Sequence, residues 1–94
     1  GIAIDHYRIV EKYSHVTHTV AQLSGELDER YSGFDALIAS LNAGTLTGAP
    51  KIAAMTYIEQ IESHSRGYYG GSIGWMLFNG EVNTAITIRT AHVR

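Results

Sequence analysis

The sequence contains no cysteine, a single proline and no long apolar segment. Without cysteine, the chain forms neither disulfides nor thiolate metal sites. No apolar run approaches the roughly 18 residues of a membrane span, and no signal peptide is visible. The seven Lys and Arg are outnumbered by nine Asp and Glu, which argues against nucleic acid or an anionic membrane as a partner. We therefore expect a soluble, cytoplasmic protein.

The length of 94 residues allows one domain at most, with a small core, because so short a chain buries only about 60 to 65% of its surface on folding. A hydrophobic content of 45% is typical of a globular chain. The chain begins at Gly1 rather than Met and ends in a segment that resembles a strand. We expect residues 1–94 to be a single partial domain, incomplete at both ends.

The first part of the chain has the composition of β-structure. Tyr, Ile, Val, Thr and His are frequent there, which predicts two strands at 6–13 and 16–24. On the second strand, the two-residue period places His18 between Val16 and Val20 on one face. A histidine in such a position is more often structural than catalytic.

Two helices are predicted in the middle of the chain. Ser32 and Asp35 have the spacing of a capping box, and an apolar stripe follows at helical intervals. That stripe consists of Phe34, Leu37, Ile38 and Leu41. The second helix is predicted from Pro50 to Glu62, because proline suits a first helical turn.

The turn before the second helix contains Thr45 and Thr47, whose hydroxyls could bond free backbone N–H groups or an anionic ligand. Residues 44–51 also resemble a phosphate-binding loop, which would imply a nucleotide-binding protein. That loop needs four residues between its glycines and a Ser or Thr directly after its lysine. Here three residues separate Gly44 from Gly48, and Ile52 follows Lys51, so the spacing argues against nucleotide binding.

Asn79-Gly80 is typical of a two-residue hairpin turn. Such a turn pairs Phe78 with Glu81, and the faces of both strands follow from that register. One face is then apolar and fit for the core. It consists of Ile73, Trp75, Leu77, Val82, Ile86 and Ile88.

The opposite face of this predicted hairpin has small side chains beneath Arg89. It consists of Gly70, Ser72, Gly74, Ala85 and Thr87. Glycines within strands often mark a close approach to the backbone, and a guanidinium binds a carboxylate through two hydrogen bonds. This face therefore suits either a carboxylate ligand or packing against another segment of a longer chain.

Four motifs in order resemble the chorismate-utilising enzymes. They are Tyr13-Ser-His-Val-Thr-His18, Ala43-Gly-Thr-Leu-Thr-Gly-Ala-Pro-Lys51, Arg66-Gly-Tyr-Tyr-Gly-Gly71 and Asn83-Thr-Ala-Ile-Thr-Ile-Arg-Thr90. The resemblance implies an α+β fragment of the chorismate-binding enzyme fold, with antiparallel strands flanking two helices and a C-terminal Asn-Gly hairpin. The second motif is most similar to the anthranilate-forming branch, and the branch that forms aminodeoxychorismate is the alternative.

The resemblance also implies roles for individual residues. His18 would assist loss of the ring hydroxyl of chorismate, and Thr45, Tyr69 and Arg89 would line the substrate site, with Tyr69 and Arg89 holding a carboxylate. The predicted hairpin register, however, places Tyr69 on the face opposite to Arg89. Either Gly70-Gly71 interrupts the pairing or the register differs by one residue.

The activity implied by the resemblance is amination of chorismate with ammonia from glutamine, followed by loss of pyruvate to give anthranilate. A glutamine amidotransferase subunit or domain would be the partner. The family's cofactor is Mg²⁺, whose glutamate ligands would lie outside this chain, and we assign no metal ligand within it. We therefore expect the 94 residues alone not to turn over chorismate; a remnant that binds without catalysis is the non-enzymatic alternative.

Overall fold

The structure, a computed structural model, describes all residues from 1 to 94 and is α+β, with antiparallel strands and helices as predicted. The elements in chain order are β1 (Ile2–Lys12), β2 (Thr17–Gly25), α1 (Gly33–Ser40), α2 (Gly44–Thr47), α3 (Lys51–Ile61), β3 (Ser72–Met76) and β4 (Val82–Ile86). The chain divides into two compact units, Gly1–Arg30 and Tyr31–Arg94. None of the helices has the length and apolar character needed to cross a membrane.

The first unit is the antiparallel hairpin of β1 and β2. Both predicted strands are confirmed, although β1 already begins at Ile2. The pairing runs from Ile2 opposite Gly25 to Lys12 opposite Thr17, with irregularities on either side of His6. A hydrogen bond of 2.8 Å from the amide of Tyr13 to the carbonyl of Val16 closes the turn. This register places Glu11 directly opposite His18.

The second unit begins with α1, whose start agrees with the predicted capping box. The Ser32 hydroxyl accepts from the Asp35 amide at 3.2 Å, and the Asp35 carboxylate accepts from the Ser32 amide at 2.8 Å. A Cβ at Gly33 would lie 2.9 Å from the carbonyl oxygen of Gly80 and 3.1 Å from Cγ2 of Val82. Glycine therefore lets the start of α1 approach the β3–β4 turn closely.

The expected turn between the two helices is itself helical, because residues 44–47 form α2. Pro50 lies at the N-cap of α3 rather than within its first turn, so the predicted helix start is one residue early. Lys51 reaches back from this start and donates from Nζ to the carbonyl of Leu41 at 3.4 Å. Leu46 in α2 is the one buried hydrophobic side chain.

The β3–β4 hairpin is confirmed, but its predicted two-residue turn is wrong. The Leu77 amide donates to the Glu81 carbonyl at 2.8 Å, and the Gly80 amide donates to the Leu77 carbonyl at 3.0 Å. The loop therefore contains Phe78, Asn79 and Gly80, and Gly80 adopts a left-handed φ of 93°. The extra residue shifts the register by one. Asn79-Gly80 also fits this longer loop, because three-residue hairpin loops favour glycine at a left-handed position.

The shifted register exchanges the face of every β4 side chain relative to β3. Ser72 lies opposite Ile86 and Gly74 opposite Thr84. The predicted surface of small side chains beneath Arg89 is therefore wrong, and so is the predicted apolar face. The observed cross-strand pairs are Ser72 with Ile86, Ile73 with Ala85, Gly74 with Thr84, Trp75 with Asn83 and Met76 with Val82.

The absence of a side chain at Gly74 is explained by the partner strand rather than by an approaching ligand. A Cβ there would overlap the Asn83 carbonyl oxygen and would lie 2.7 Å from Cα of Thr84. We expect Gly74→Ala to lower the free energy of unfolding by about 1 to 3 kcal/mol, the usual cost of overpacking. Gly44→Ala is the matched control, since a Cβ at Gly44 meets nothing within 4 Å. Urea unfolding of both variants measures this, and equal midpoints would contradict the explanation.

Candidate active site

The second unit contains two clefts that share Tyr69. The first cleft has a volume of about 200 Å³ and is lined by Asn42, Leu46, Thr47, Met55, Ile58, Glu59, Arg66, Tyr69 and Gly70. The second cleft has a volume of about 290 Å³ and is lined by Ser65, Arg66, Gly67, Tyr68, Tyr69, Thr87, Thr90, His92 and Arg94. The first includes Leu46, which follows Thr45 in the chain, and the second includes Thr90, which follows Arg89. Neither Thr45 nor Arg89 itself lines a cleft.

Tyr69 is held by backbone hydrogen bonds on both of its sides. Its own amide donates to the carbonyl of Arg66 at 3.2 Å. The next amide, that of Gly70, donates to the carbonyl of Thr87 at 2.8 Å, and the Thr87 amide donates to Gly71 at 3.0 Å. The Tyr69 side chain is 46% exposed and its hydroxyl makes no hydrogen bond within the chain. A firmly held backbone thus presents a phenol whose hydroxyl has no hydrogen bond in the chain and which lies within electrostatic range of the Arg66 guanidinium.

The two threonines of the α2 segment differ in what their hydroxyls do. The Thr47 hydroxyl donates to the Ala43 carbonyl at 3.3 Å, which is a bond within the turn. Thr45 is exposed, and its hydroxyl has no partner in the chain. Of the two candidates, Thr45 is therefore the one with a hydroxyl available to a ligand.

Arg89 follows β4 with a left-handed φ of 51°. Its side chain is exposed and forms no hydrogen bond or ion pair within the chain. Tyr69 and Arg89 both lie outside the paired residues, which end at Ser72 opposite Ile86. The Gly70 amide and the Gly71 carbonyl both bond to Thr87, so the pairing is interrupted at Gly70-Gly71 and assigns neither Tyr69 nor Arg89 to a face of the hairpin.

In the first unit, His18 has an acidic and an aromatic neighbour. Its Nε2 lies 3.9 Å from Oε2 of Glu11, and its ring centroid lies 5.1 Å from that of Tyr13. The Tyr13 hydroxyl donates to the same Glu11 oxygen at 2.7 Å. This bond raises the pKa of Tyr13. The His18 side chain is 40% exposed, so it is open to exchange a proton.

Sequence reasoning assigned no role to Arg66, which forms hydrogen bonds with three parts of the second unit. Its Nε donates to Glu62 at 2.8 Å, and its Nη1 donates to the carbonyl of Leu46 at 2.8 Å. Its own carbonyl accepts from Tyr69. The spacing of four residues between Glu62 and Arg66 was the one available signal for the ion pair. Nothing local indicates the bond to Leu46.

The hydrogen bonds from Arg66 lower the pKa of Glu62. Because the pKa of Glu62 is lower in the folded than in the unfolded state, its ion pair with Arg66 stabilises the fold fully at pH values above the unfolded pKa. This stabilisation is lost as the pH falls through the lower, folded value. We expect Arg66→Ala to move the Glu62 carboxyl titration to higher pH. Carbon NMR of the Glu62 side chain measures this, and an unchanged midpoint would show that the ion pair does not form in solution.

Comparison with known proteins identifies the enzyme family to which the whole chain is similar. A family model described as "chorismate binding enzyme" matches residues 1–94. Anthranilate synthase component 1 of Acetivibrio thermocellus is 48% identical over 95% of this chain and 18% of its own length. The same component of Pseudomonas aeruginosa is 46% identical over 100% of this chain and 19% of its own length.

The fold has the same counterpart among solved structures. Anthranilate synthase component I from Streptococcus pneumoniae superposes with a TM-score of 0.90 at 40% identity, covering 94% of this chain and 20% of the other. The chain thus spans about a fifth of the length of the relatives it matches. With a family match along its whole length, the chain belongs to the chorismate binding enzymes.

Proposed function

We propose that this chain is the part of an anthranilate synthase large component that holds chorismate. In this proposal, the complete enzyme converts chorismate and ammonia to anthranilate and pyruvate, a lyase reaction in tryptophan biosynthesis. The observation that carries the proposal is the similarity to anthranilate synthase component 1 proteins, which extends over 95 to 100% of this chain at 46 to 48% identity. The free groups of Thr45, Tyr69 and Arg89 support it, because a dianionic substrate needs unsatisfied donors.

The residues named by the family resemblance have separate proposed roles. Arg89 would hold a substrate carboxylate with its guanidinium, and the hydroxyls of Tyr69 and Thr45 would donate further hydrogen bonds. His18 would give a proton to the departing ring hydroxyl, since imidazole exchanges protons near neutral pH.

We assign no magnesium ligand within this chain. No group of three or more His, Asp or Glu side chains could hold a metal ion, and Arg66 occupies the carboxylate of Glu62. Mg²⁺ bound through residues elsewhere in the complete enzyme remains part of the proposal, and no step on this chain is assigned to it. A glutamine amidotransferase that supplies ammonia is the proposed partner, and the cytoplasmic location stays a prediction.

The proposal is tested with the complete protein that contains this chain, mixed with chorismate, Mg²⁺ and ammonium. We expect the fluorescence of anthranilate to appear with release of an equal amount of pyruvate. Adding an amidotransferase and glutamine in place of ammonium tests the partner. Formation of aminodeoxychorismate without pyruvate would overturn the anthranilate assignment. Binding without any product would favour the non-catalytic alternative.

A further inference from the structure

We infer that Arg66 is a positioning residue for chorismate, holding the segment that carries Thr45 and the segment that carries Tyr69 in one arrangement. This inference rests on the proposed function. Arg66 contacts no proposed substrate atom and has no assigned role among the four site residues. Its effect would pass through the two backbone segments that it joins.

The first connection is to α2. The guanidinium donates from Nη1 to the carbonyl of Leu46 at 2.8 Å, and Leu46 directly follows Thr45 in the chain. α2 is only four residues long and has no side-chain cap at its start, so its own hydrogen bonds fix it weakly. A charged donor on a carbonyl of this turn is therefore a main restraint on where Thr45 lies.

The second connection is to the Tyr69 segment. The carbonyl of Arg66 accepts from the Tyr69 amide at 3.2 Å. The Leu46 side chain lies beside Gly70, the residue that follows Tyr69. A Cβ at Gly70 would lie 3.6 Å from Cδ2 of Leu46. The backbone of Arg66 thus holds the Tyr69 turn while its side chain holds α2. Arg66 also lines both clefts that share Tyr69.

Glu62 fixes the direction of the guanidinium. Both terminal oxygens of Glu62 accept from Arg66, at Nε and at Nη2, which leaves Nη1 directed at Leu46. The Arg66 side chain is 31% exposed. Lysine has a single ammonium and cannot reproduce this planar arrangement of three bonds. The geometry therefore predicts that charge alone at residue 66 will not suffice.

The test compares Arg66→Ala, Arg66→Lys and Glu62→Gln in the complete enzyme. We expect both Arg66 variants to raise the KM for chorismate about tenfold, with kcat changed by less than about threefold. Glu62→Gln, which keeps the Leu46 bond, should give a smaller increase. Arg30→Ala, which breaks the exposed ion pair with Asp28, is the matched control and should leave KM unchanged.

Amide hydrogen exchange is measured on the same variants without substrate. We expect faster exchange at residues 46–48 and 69–71 and unchanged exchange in β1 and β2. If Arg66→Ala fails to fold, Arg66→Lys decides the outcome. A folded Arg66 variant with wild-type KM and wild-type exchange would overturn the inference. If the wild-type protein does not bind chorismate, the proposed function fails, whereas the exchange data still report whether Arg66 holds the two segments.

Discussion

Replacing His18 with alanine in the complete enzyme is expected to lower kcat for anthranilate formation by about 10²- to 10⁴-fold, the usual contribution of general acid catalysis. Chorismate binding should change little, because the proposed role of His18 is proton transfer rather than recognition. The structure leaves the ring accessible and sets it beside Glu11 at 3.9 Å. Steady-state kinetics with anthranilate fluorescence separates kcat from KM.

His15→Ala is the matched control for this experiment. His15 lies in the turn between β1 and β2, is exposed, and shares a hydrogen bond of 2.8 Å with the neighbouring Ser14. The His15→Ala enzyme should therefore retain full activity. A His18→Ala enzyme that keeps more than about a tenth of wild-type kcat would remove His18 as the general acid. The proton would then have to come from another group.

Removing the Arg89 side chain is expected to weaken chorismate binding by about 1.5 to 3 kcal/mol, the range for a charge-assisted hydrogen bond. The guanidinium is exposed and has no partner within the chain, so its loss leaves no unsatisfied group behind. The fold should consequently stay intact. Calorimetric titration of Arg89→Ala with chorismate measures the loss, and Arg89→Lys should recover only part of it.

Arg8→Ala provides a control for backbone effects. Arg8 shares with Arg89 an exposed side chain and a left-handed φ, 53° against 51°, but it has no proposed role in binding. Both substitutions replace an arginine at a similar φ, although Arg8 also lies 5.7 Å from the centroid of the Tyr7 ring. A loss of chorismate binding should therefore appear only in Arg89→Ala. Equal affinity in Arg89→Ala and wild type would exclude Arg89 from the site.

Features that depend on neighbouring residues were predictable from sequence. The Ser32–Asp35 capping box and the two N-terminal strands are confirmed, because each follows from local hydrogen bonding or a short period. The β3–β4 register was not predictable in this way. Asn79-Gly80 fits two loop lengths, and both place glycine at a left-handed position. One residue of loop length then changes which side chains share a face.

Contacts between distant segments escaped sequence reasoning. Arg66 donates to Leu46, which lies twenty residues earlier in the chain, and no local pattern encodes that bond. The space at Gly74 is filled by the backbone of the partner strand, whereas the sequence suggested either a carboxylate ligand or another segment of a longer chain. Tyr69 and Arg89 were named through family resemblance, and their roles stay predictions. The clefts around Tyr69 depend on such distant contacts as well.

The close approach of Gly33 to Gly80 has a consequence for folding kinetics. α1 and the β3–β4 hairpin each form from residues near one another in the chain, and such local elements form within microseconds. Joining them requires closing a loop from Gly33 to Gly80, and long-range closure slows folding as the separation between contacting residues grows. The second unit should therefore acquire its helices and hairpin early and its final packing late, with the meeting of these two glycines in the slow step.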